Sequence, residues 1–276
     1  LPGATSSLPS TTVTGRPSTL TSAPASVSRR TSAGRARSSA ATGTCAPLAT
    51  ETSCSNGKWP GALTATTHSI SDDNFMAGNY RFERNGATGK VLNDGQLNAA
   101  LGGYIALLAP EVQNGGVVVA QAGTVAMATG DAITLNFAGN HTLASITTTL
   151  STLATLVNNQ HAVLAPDGQI ILSAVALNKL QAGVVKNSGT LEANSLVSKG
   201  GKIVLEGDDI TLTRTSKLEA KGALGGGTVL VGGDWQGSGD LRQATKVTME
   251  VGATIDASAT DKGDGGKVVL WSDVHN

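Results

Sequence analysis

A short strand unit recurs along the chain in two alternating forms, and this recurrence excludes most folds at once. One form opens on paired glycines and continues with small apolar residues. It reads Gly102-Gly103-Tyr104-Ile105-Ala106-Leu107, Gly200-Gly201-Lys202-Ile203-Val204-Leu205, Gly226-Gly227-Thr228-Val229-Leu230-Val231 and Gly265-Gly266-Lys267-Val268-Val269-Leu270. The other form follows an asparagine: Asn93-Asp94-Gly95-Gln96-Leu97-Asn98-Ala99, Asn114-Gly115-Gly116-Val117-Val118-Val119-Ala120 and Asn187-Ser188-Gly189-Thr190-Leu191-Glu192-Ala193. Looser copies stand at Leu218-Glu219-Ala220 and Ile255-Asp256-Ala257. A strand unit repeated roughly every 20 residues predicts a solenoid, where each repeat buries its apolar side only against its neighbours.

Composition agrees. Aromatic residues make up 3% of the chain while glycines number 35. A round core of this length would draw on Phe, Tyr and Trp for buried area; a narrow column of Val, Ile, Leu and Ala does not need them. Net charge is zero, but residues 1–60 hold five Arg and one Lys against Glu51 alone, so the rest is slightly acidic. With no basic stripe, nucleic acid is not expected as a partner. No apolar run reaches membrane-spanning length. The chain starts at Leu1 and ends just after a strand pattern, without a capping segment, so it is read as part of a longer array.

Residues 1–60 are rich in Ser, Thr, Pro and Arg and lack Ile, Phe and Tyr. Such a segment buries too little apolar surface to offset chain entropy, and disorder is expected. Its composition also matches GC-rich DNA read out of frame. Cys45 and Cys54, with eight residues between them, suit pairing in an oxidising compartment and are too few for a metal site. The β-helix is expected over residues 61–276, with the regular repeat starting near residue 90. Residues 61–90 contribute Phe75, Tyr80 and Phe82 to a turn or short hairpin packed on the solenoid, and Asp72-Asp73 mark a turn or helix cap.

Strands are predicted at Tyr104–Leu108, Val117–Ala120, Thr124–Met127, Ala132–Phe137 and Gln169–Ser173. The asparagines Asn93, Asn114 and Asn187 suit left-handed corners or a stacked polar ladder. Leu143, Ile146, Leu150, Leu153 and Leu156-Val157 are spaced three and four apart, which predicts one short helix over 151–159 capped by Ser151 or Thr152. A second helical turn is expected at Ala174–Leu180.

Catalytic and metal constellations are missing. His68, His141, His161 and His275 are scattered, and no Gly-x-Ser-x-Gly elbow or phosphate loop occurs. The acids Asp208, Asp209, Asp234, Asp240, Asp261 and Asp264, with Arg214 and Arg242, form the one set that a sugar-cleaving β-helix enzyme or a calcium site would draw on. Paired carboxylates cannot be located by spacing alone, so no catalytic, cofactor-binding or metal residue is assigned, no cofactor is expected, and the chain is read as a non-enzyme.

The segments Ser71-Asp72-Asp73-Asn74-Phe75-Met76-Ala77-Gly78, Gly102–Val112, Ala132–Phe137, Asn187–Ala193 and Gly265-Gly266-Lys267-Val268-Val269-Leu270-Trp271-Ser272 together resemble the filamentous haemagglutinin family. These are large exoproteins of two-partner secretion systems in Gram-negative bacteria. The resemblance implies an all-β, right-handed parallel β-helix. Residues 61–276 would be a partial secretion domain continuing into adhesin repeats, exported by an outer-membrane transporter and secreted or displayed on the cell surface. It implies adhesion to host or neighbouring-cell receptors or glycans, or a passenger rod presenting a distal toxin of the contact-dependent inhibition type. The family's Asn-Pro-Asn-Gly and Asn-Pro-Asn-Leu motifs do not occur, which puts export competence of this chain in question.

Overall fold

The computed structural model describes residues 44–48, 51–55, 57–59, 61–139, 142–177 and 182–273. The chain winds through seven coils of three strands each. β1 (Thr44–Leu48) turns back antiparallel on β2 (Glu51–Ser55), which with β3 (Gly57–Trp59) and β4 (Leu63–Thr66) forms the first coil. Helix α1 (Asp72–Met76) and β5 (Arg81–Glu83) leave the coil before β6 (Lys90–Asn93), β7 (Gln96–Ala99) and β8 (Tyr104–Leu108) complete the second. The third holds β9 (Glu111–Asn114), β10 (Val117–Val119) and β11 (Thr124–Thr129). A hairpin of β12 (Ala132–Phe137) and β13 (Leu143–Thr148) then projects outward. The fourth coil holds β14 (Thr155–Asn159), β15 (Ala162–Leu164) and β16 (Gln169–Ala174). The fifth holds β17 (Gly183–Asn187), β18 (Thr190–Glu192) and β19 (Lys202–Gly207). The sixth holds β20 (Asp209–Leu212), β21 (Lys217–Glu219) and β22 (Thr228–Val231), and the seventh β23 (Lys246–Met249), β24 (Thr254–Asp256) and β25 (Lys267–Leu270).

Corresponding strands of successive coils pair in parallel, giving three long faces of the β-helix that the sequence predicts. Alternation decides which side chains enter the column. Val91, Val112, Val157, Val185 and Ile210 stack inside the first face; Ile105, Val125, Ile170, Ile203 and Val229 stack inside the third. β8 and β11 are buried on both sides. Their outward residues Tyr104, Ala106, Leu108, Ala126 and Ala128 meet a second cluster with Phe82, Ile133 and Leu143. That cluster lies under a three-stranded antiparallel sheet of β5, β12 and β13. A strand covered on both faces reads as a continuous apolar run, as Tyr104-Ile105-Ala106-Leu107-Leu108 does.

The paired-glycine signature has a steric cause. The second glycine of each pair stacks at the corner entering the third face, where backbones approach closely. A Cβ on Gly123 would stand 1.9 Å from the Gly103 carbonyl oxygen, on Gly168 2.1 Å from that of Gly123, on Gly201 2.1 Å from that of Gly168, and on Gly227 2.2 Å from that of Gly201. Gly266 continues the column, 2.0 Å from the Gly227 oxygen. The column thus extends through Gly123 and Gly168, which follow Ala122 and Asp167 rather than a second glycine.

Four expectations are corrected. The helix over 151–159 is absent: β13 carries Leu143 and Ile146 and β14 carries Leu156 and Val157, two strands of different sheets, while Leu150 and Leu153 lie in the bend between them. Thr155, Val157 and Asn159 point inward with period two, so the helical spacing is a coincidence of two strand patterns. The short helix lies instead at α1, where the Ser71 hydroxyl accepts from the Asn74 amide and Asp72 and Asp73 fill the first turn. The helical turn expected at Ala174–Leu180 is a strand end, an isolated bridge and a bend over Ala174–Leu177, and residues 178–180 lie outside the described residues. Asn93, Asn114 and Asn187 are strand ends with no left-handed backbone; of the two roles expected for them, they take the ladder. Finally, pairing starts before residue 90. β2, β3 and β4 stack on β6, β7 and β8, so residues 44–48, 51–55 and 57–59 supply strands where disorder is expected over 1–60. Residues 1–43, and with them most of that expectation, lie outside the described residues. Strand spacing is also uneven: the ladder asparagines are 21, 45 and 28 residues apart, because insertions at the corners lengthen individual coils.

Candidate functional site

The interior of the first face is crossed by a ladder of carboxamides. Asn93 Nδ2 donates to Asn114 Oδ1 at 2.7 Å, Asn114 Nδ2 to Asn159 Oδ1 at 2.8 Å, and Asn159 Nδ2 to Asn187 Oδ1 at 2.7 Å. Asn187 Nδ2 ends the chain on the Ser216 hydroxyl at 2.5 Å. All four asparagines are fully buried. Each amide offers one donor upward and one acceptor downward, so identical side chains in register satisfy one another. Asn159 has the same downstream pattern as the others, Asn159-Gln160-His161-Ala162-Val163-Leu164-Ala165, with His161 where Gly95, Gly116 and Gly189 stand. That single replacement hides it in the sequence.

The acids weighed for catalysis do not converge. Asp208 is buried and accepts from the Ala176 and Gly183 amides at 3.0 and 2.8 Å and from Arg242 Nε and Nη2 at 2.8 and 2.6 Å. It is a structural clamp, holding the loop after β22 against the corner between the fourth and fifth coils. Asp209 faces Lys246 at 3.8 Å. Asp234 pairs with Lys267, whose hydrogen bond holds the Asp234 carboxyl below its usual range. Asp240, Asp261 and Asp264 are exposed on two different loops, and the Arg214 amide donates to Glu250 at 3.0 Å. Among the described residues no three His, Cys, Asp or Glu side chains stand close enough to hold a metal ion. His161 sits at an open corner; His141 and His275 lie outside the described residues.

His68 is buried at the seam between β4 and the projecting sheet. Its Nε2 lies 2.8 Å from the Gly130 carbonyl oxygen and its Nδ1 has no partner. Burial pushes its pKa below the ordinary value, outweighing the Gly130 bond. Beside it, Arg84 Nε donates to Asp131 at 2.7 Å and Arg84 Nη2 to Thr152 at 3.0 Å. Burial works to raise the Asp131 pKa, but the hydrogen bonds it accepts from Arg84 and from Thr152, whose backbone amide lies 3.3 Å away, prevail and lower it.

Two surface grooves interrupt the faces. One, of about 420 Å³, lies between the segment Gly78-Asn79-Tyr80 that follows α1 and strand β12, where Tyr80 meets Phe137 edge-on with ring centres 5.1 Å apart. The other, of about 530 Å³, follows the glycine column along the third face, flanked by Thr124, Gln169, Lys202 and Thr228. These four are in register, one per coil.

Fold and surface together define a parallel β-helix with a capping hairpin and one projecting sheet, and among the described residues no catalytic group is assembled. A family profile described as the TPS secretion domain matches residues 60–222, more than half of the chain. The chain therefore belongs to the TPS secretion domain family, and is the secretion domain of a two-partner secretion exoprotein. The crystal structure of the HMW1 secretion domain from Haemophilus influenzae is similar, at 28% identity and a TM-score of 0.54, over 75% of this chain and 60% of that one. A heme/hemopexin-binding protein of Haemophilus influenzae is 30% identical over 105 residues, which is 38% of this chain and 10% of that protein. The chain thus aligns with only a tenth of that relative's length.

Proposed function

We propose that the chain is the export-directing start and first rod segment of a surface adhesin, handed across the outer membrane of a Gram-negative bacterium by a dedicated transporter. The observation that carries this is the stack of seven coils, each complete only when laid on the one before. The open edge of one coil offers unpaired backbone groups, a carboxamide or apolar rung and a bare glycine corner to the next. A chain emerging from a pore can add coils in order on such a template. The steep cost of exposed strand edges favours pairing as soon as a coil is released. The projecting sheet and α1 break the symmetry at the early coils and supply the surface by which the transporter would tell this chain from other strands. Adhesion to host or neighbouring-cell surfaces would then belong to the outward side chains and to the chain's continuation.

A second reading is a passenger rod that presents a distal function. The relative that names heme and hemopexin as its ligands supports it, since the matched segment is a tenth of that protein. Co-expression of the chain with a two-partner transporter, with and without residues 60–222, tests the export reading. Secretion of both forms, or of neither, would overturn it. Binding of cells displaying the exported chain to epithelial or bacterial monolayers separates adhesion from mere presentation.

A further inference from the structure

The projecting sheet joins the rod at four crossings. The chain leaves the first coil after β4 at Thr67-His68 and returns to the second through residues 84–89 after β5. It leaves the third coil after β11 at Gly130-Asp131 and returns to the fourth through residues 149–153 after β13. All four crossings meet around His68. Ser69 and Glu83 exchange backbone hydrogen bonds at 2.8 and 2.7 Å. The Arg84 amide donates to the Asp131 carbonyl at 2.8 Å, and the Asp131 amide to the Thr149 carbonyl at 3.2 Å. His68 is 5% exposed in their midst.

The ring is built into this junction in its neutral form. Its Nε2 lies 2.8 Å from the Gly130 carbonyl oxygen, which can only accept, so Nε2 carries the proton and Nδ1 is the bare acceptor. Among the described residues Nδ1 has no hydrogen-bond partner. A second proton would enter a buried position without an acceptor and add a cation to the junction. The charges around the ring do not relieve this. Arg84 repels the new charge. Asp131 attracts it, but its oxygens already accept from Arg84 Nε at 2.7 Å and from the Ser151 hydroxyl and the Thr152 amide at 3.3 Å each. Arg81 and Glu83 on β5 pair with each other, and Lys90 begins β6. β4 and β11 bring no titratable side chain, and β8 only Tyr104.

We infer that the projecting sheet is an acid-sensitive flap, latched to the rod at its crossings by neutral His68 and loosened there when the ring is protonated. The inference goes beyond the export reading and does not depend on it. The closed junction holds the ring neutral; in the open junction the ring meets water and titrates near its ordinary value of about 6.5. Linkage then sets direction and size. Opening is unaffected well above that value and becomes about tenfold more favourable between pH 7.5 and 5.5, the share one ring can contribute. Asp131, held below the usual carboxylate range, stays ionised throughout. The apolar contacts of Phe82, Ile133 and Leu143 do not titrate, so they keep the sheet over β8 and β11 while its base loosens.

Amide hydrogen exchange of the full chain at pH 7.5 and 5.5, corrected for the intrinsic pH dependence of exchange, tests this. The Ser69, Glu83, Arg84 and Asp131 amides should open about tenfold more often at the lower pH, and those of Val125, Ile170 and Ile203 in the rod should not change. His68→Gln keeps a side-chain donor for Gly130 but cannot take up a proton, so its junction should lose the pH response. His161→Gln, at an open corner, should retain it. An equal rise in the rod amides, a junction that does not respond, or a full response in His68→Gln overturns the inference. If His68→Gln does not fold, the imidazole NMR titration of the unaltered chain decides: a His68 ring that titrates at or above pH 6.5 with the junction closed overturns the latch.

Discussion

Asn159 and Gly168 show how single side chains set the geometry of a coil. The Asn159 amide accepts from Asn114 and donates to Asn187 in the coils on either side, with a longer bond to the His161 carbonyl at 3.4 Å. Asn159→Ala leaves the facing donor on Asn114 and acceptor on Asn187 buried with one partner fewer each, and should cost about 3 kcal/mol, read as a fall in the urea midpoint. Gly168→Ala drives a methyl into the Gly123 carbonyl, and rigid backbone cannot move away cheaply; a loss of about 3 kcal/mol is expected. Gly139→Ala is its control, because nothing stands within 4 Å of that Cβ; it should change stability by less than about 0.5 kcal/mol. The glycine pairs were visible in the sequence from the start. Their column was not, since Ala122 and Asp167 replace the first glycine where they adopt φ 51° and 58° themselves.

At the scale of elements, two insertions are held to the rod by polar seams. The loop after β22 hangs on Arg242. Arg242→Ala would leave Asp208 buried without its cation, a loss of about 2–3 kcal/mol given that Arg242 is partly exposed. Protease cleavage within residues 232–243 should rise with it, while the coils stay protected. The projecting sheet meets β4 at His68. Its pKa is lowered in the folded chain, so the unfolded chain takes up the proton first as pH falls. The stability held by the neutral ring is complete above pH 6.5 and is lost below it. The urea midpoint should therefore drop between pH 7.5 and 5.5, and His68→Gln should flatten that slope. The carboxylates act in a separate window, below about pH 4. Neither seam was legible beforehand, because Arg84 and Asp131, like Asp208 and Arg242, are brought together only by coil stacking. The 151–159 segment failed for a related reason: a three-and-four spacing is ambiguous when a strand ends in one sheet and the next begins in another.

For the whole molecule, the far-UV circular dichroism spectrum should be dominated by β-structure, since α1 is the one α-helix among the described residues; a strongly helical spectrum would contradict the fold. The inward positions of the last coil, Met249, Val268 and Leu270, are about 42% exposed, whereas their counterparts Leu212, Val229 and Val231 one coil earlier are fully buried. A column of this kind is only as protected as the coil laid upon it. The sequence by itself determined the class of fold, because glycine pairs and period-two apolar runs recur in a way that only stacked strands accommodate. It also carried the family resemblance, through motifs spread along the rod. Tertiary structure alone decided which residues share a rung, since insertions of unequal length separate neighbours in space by 21 to 45 positions in the chain. It also decided where the rod is interrupted, because a projecting hairpin and a tied loop use the same strand and turn residues as the coils, and only their packing tells them apart.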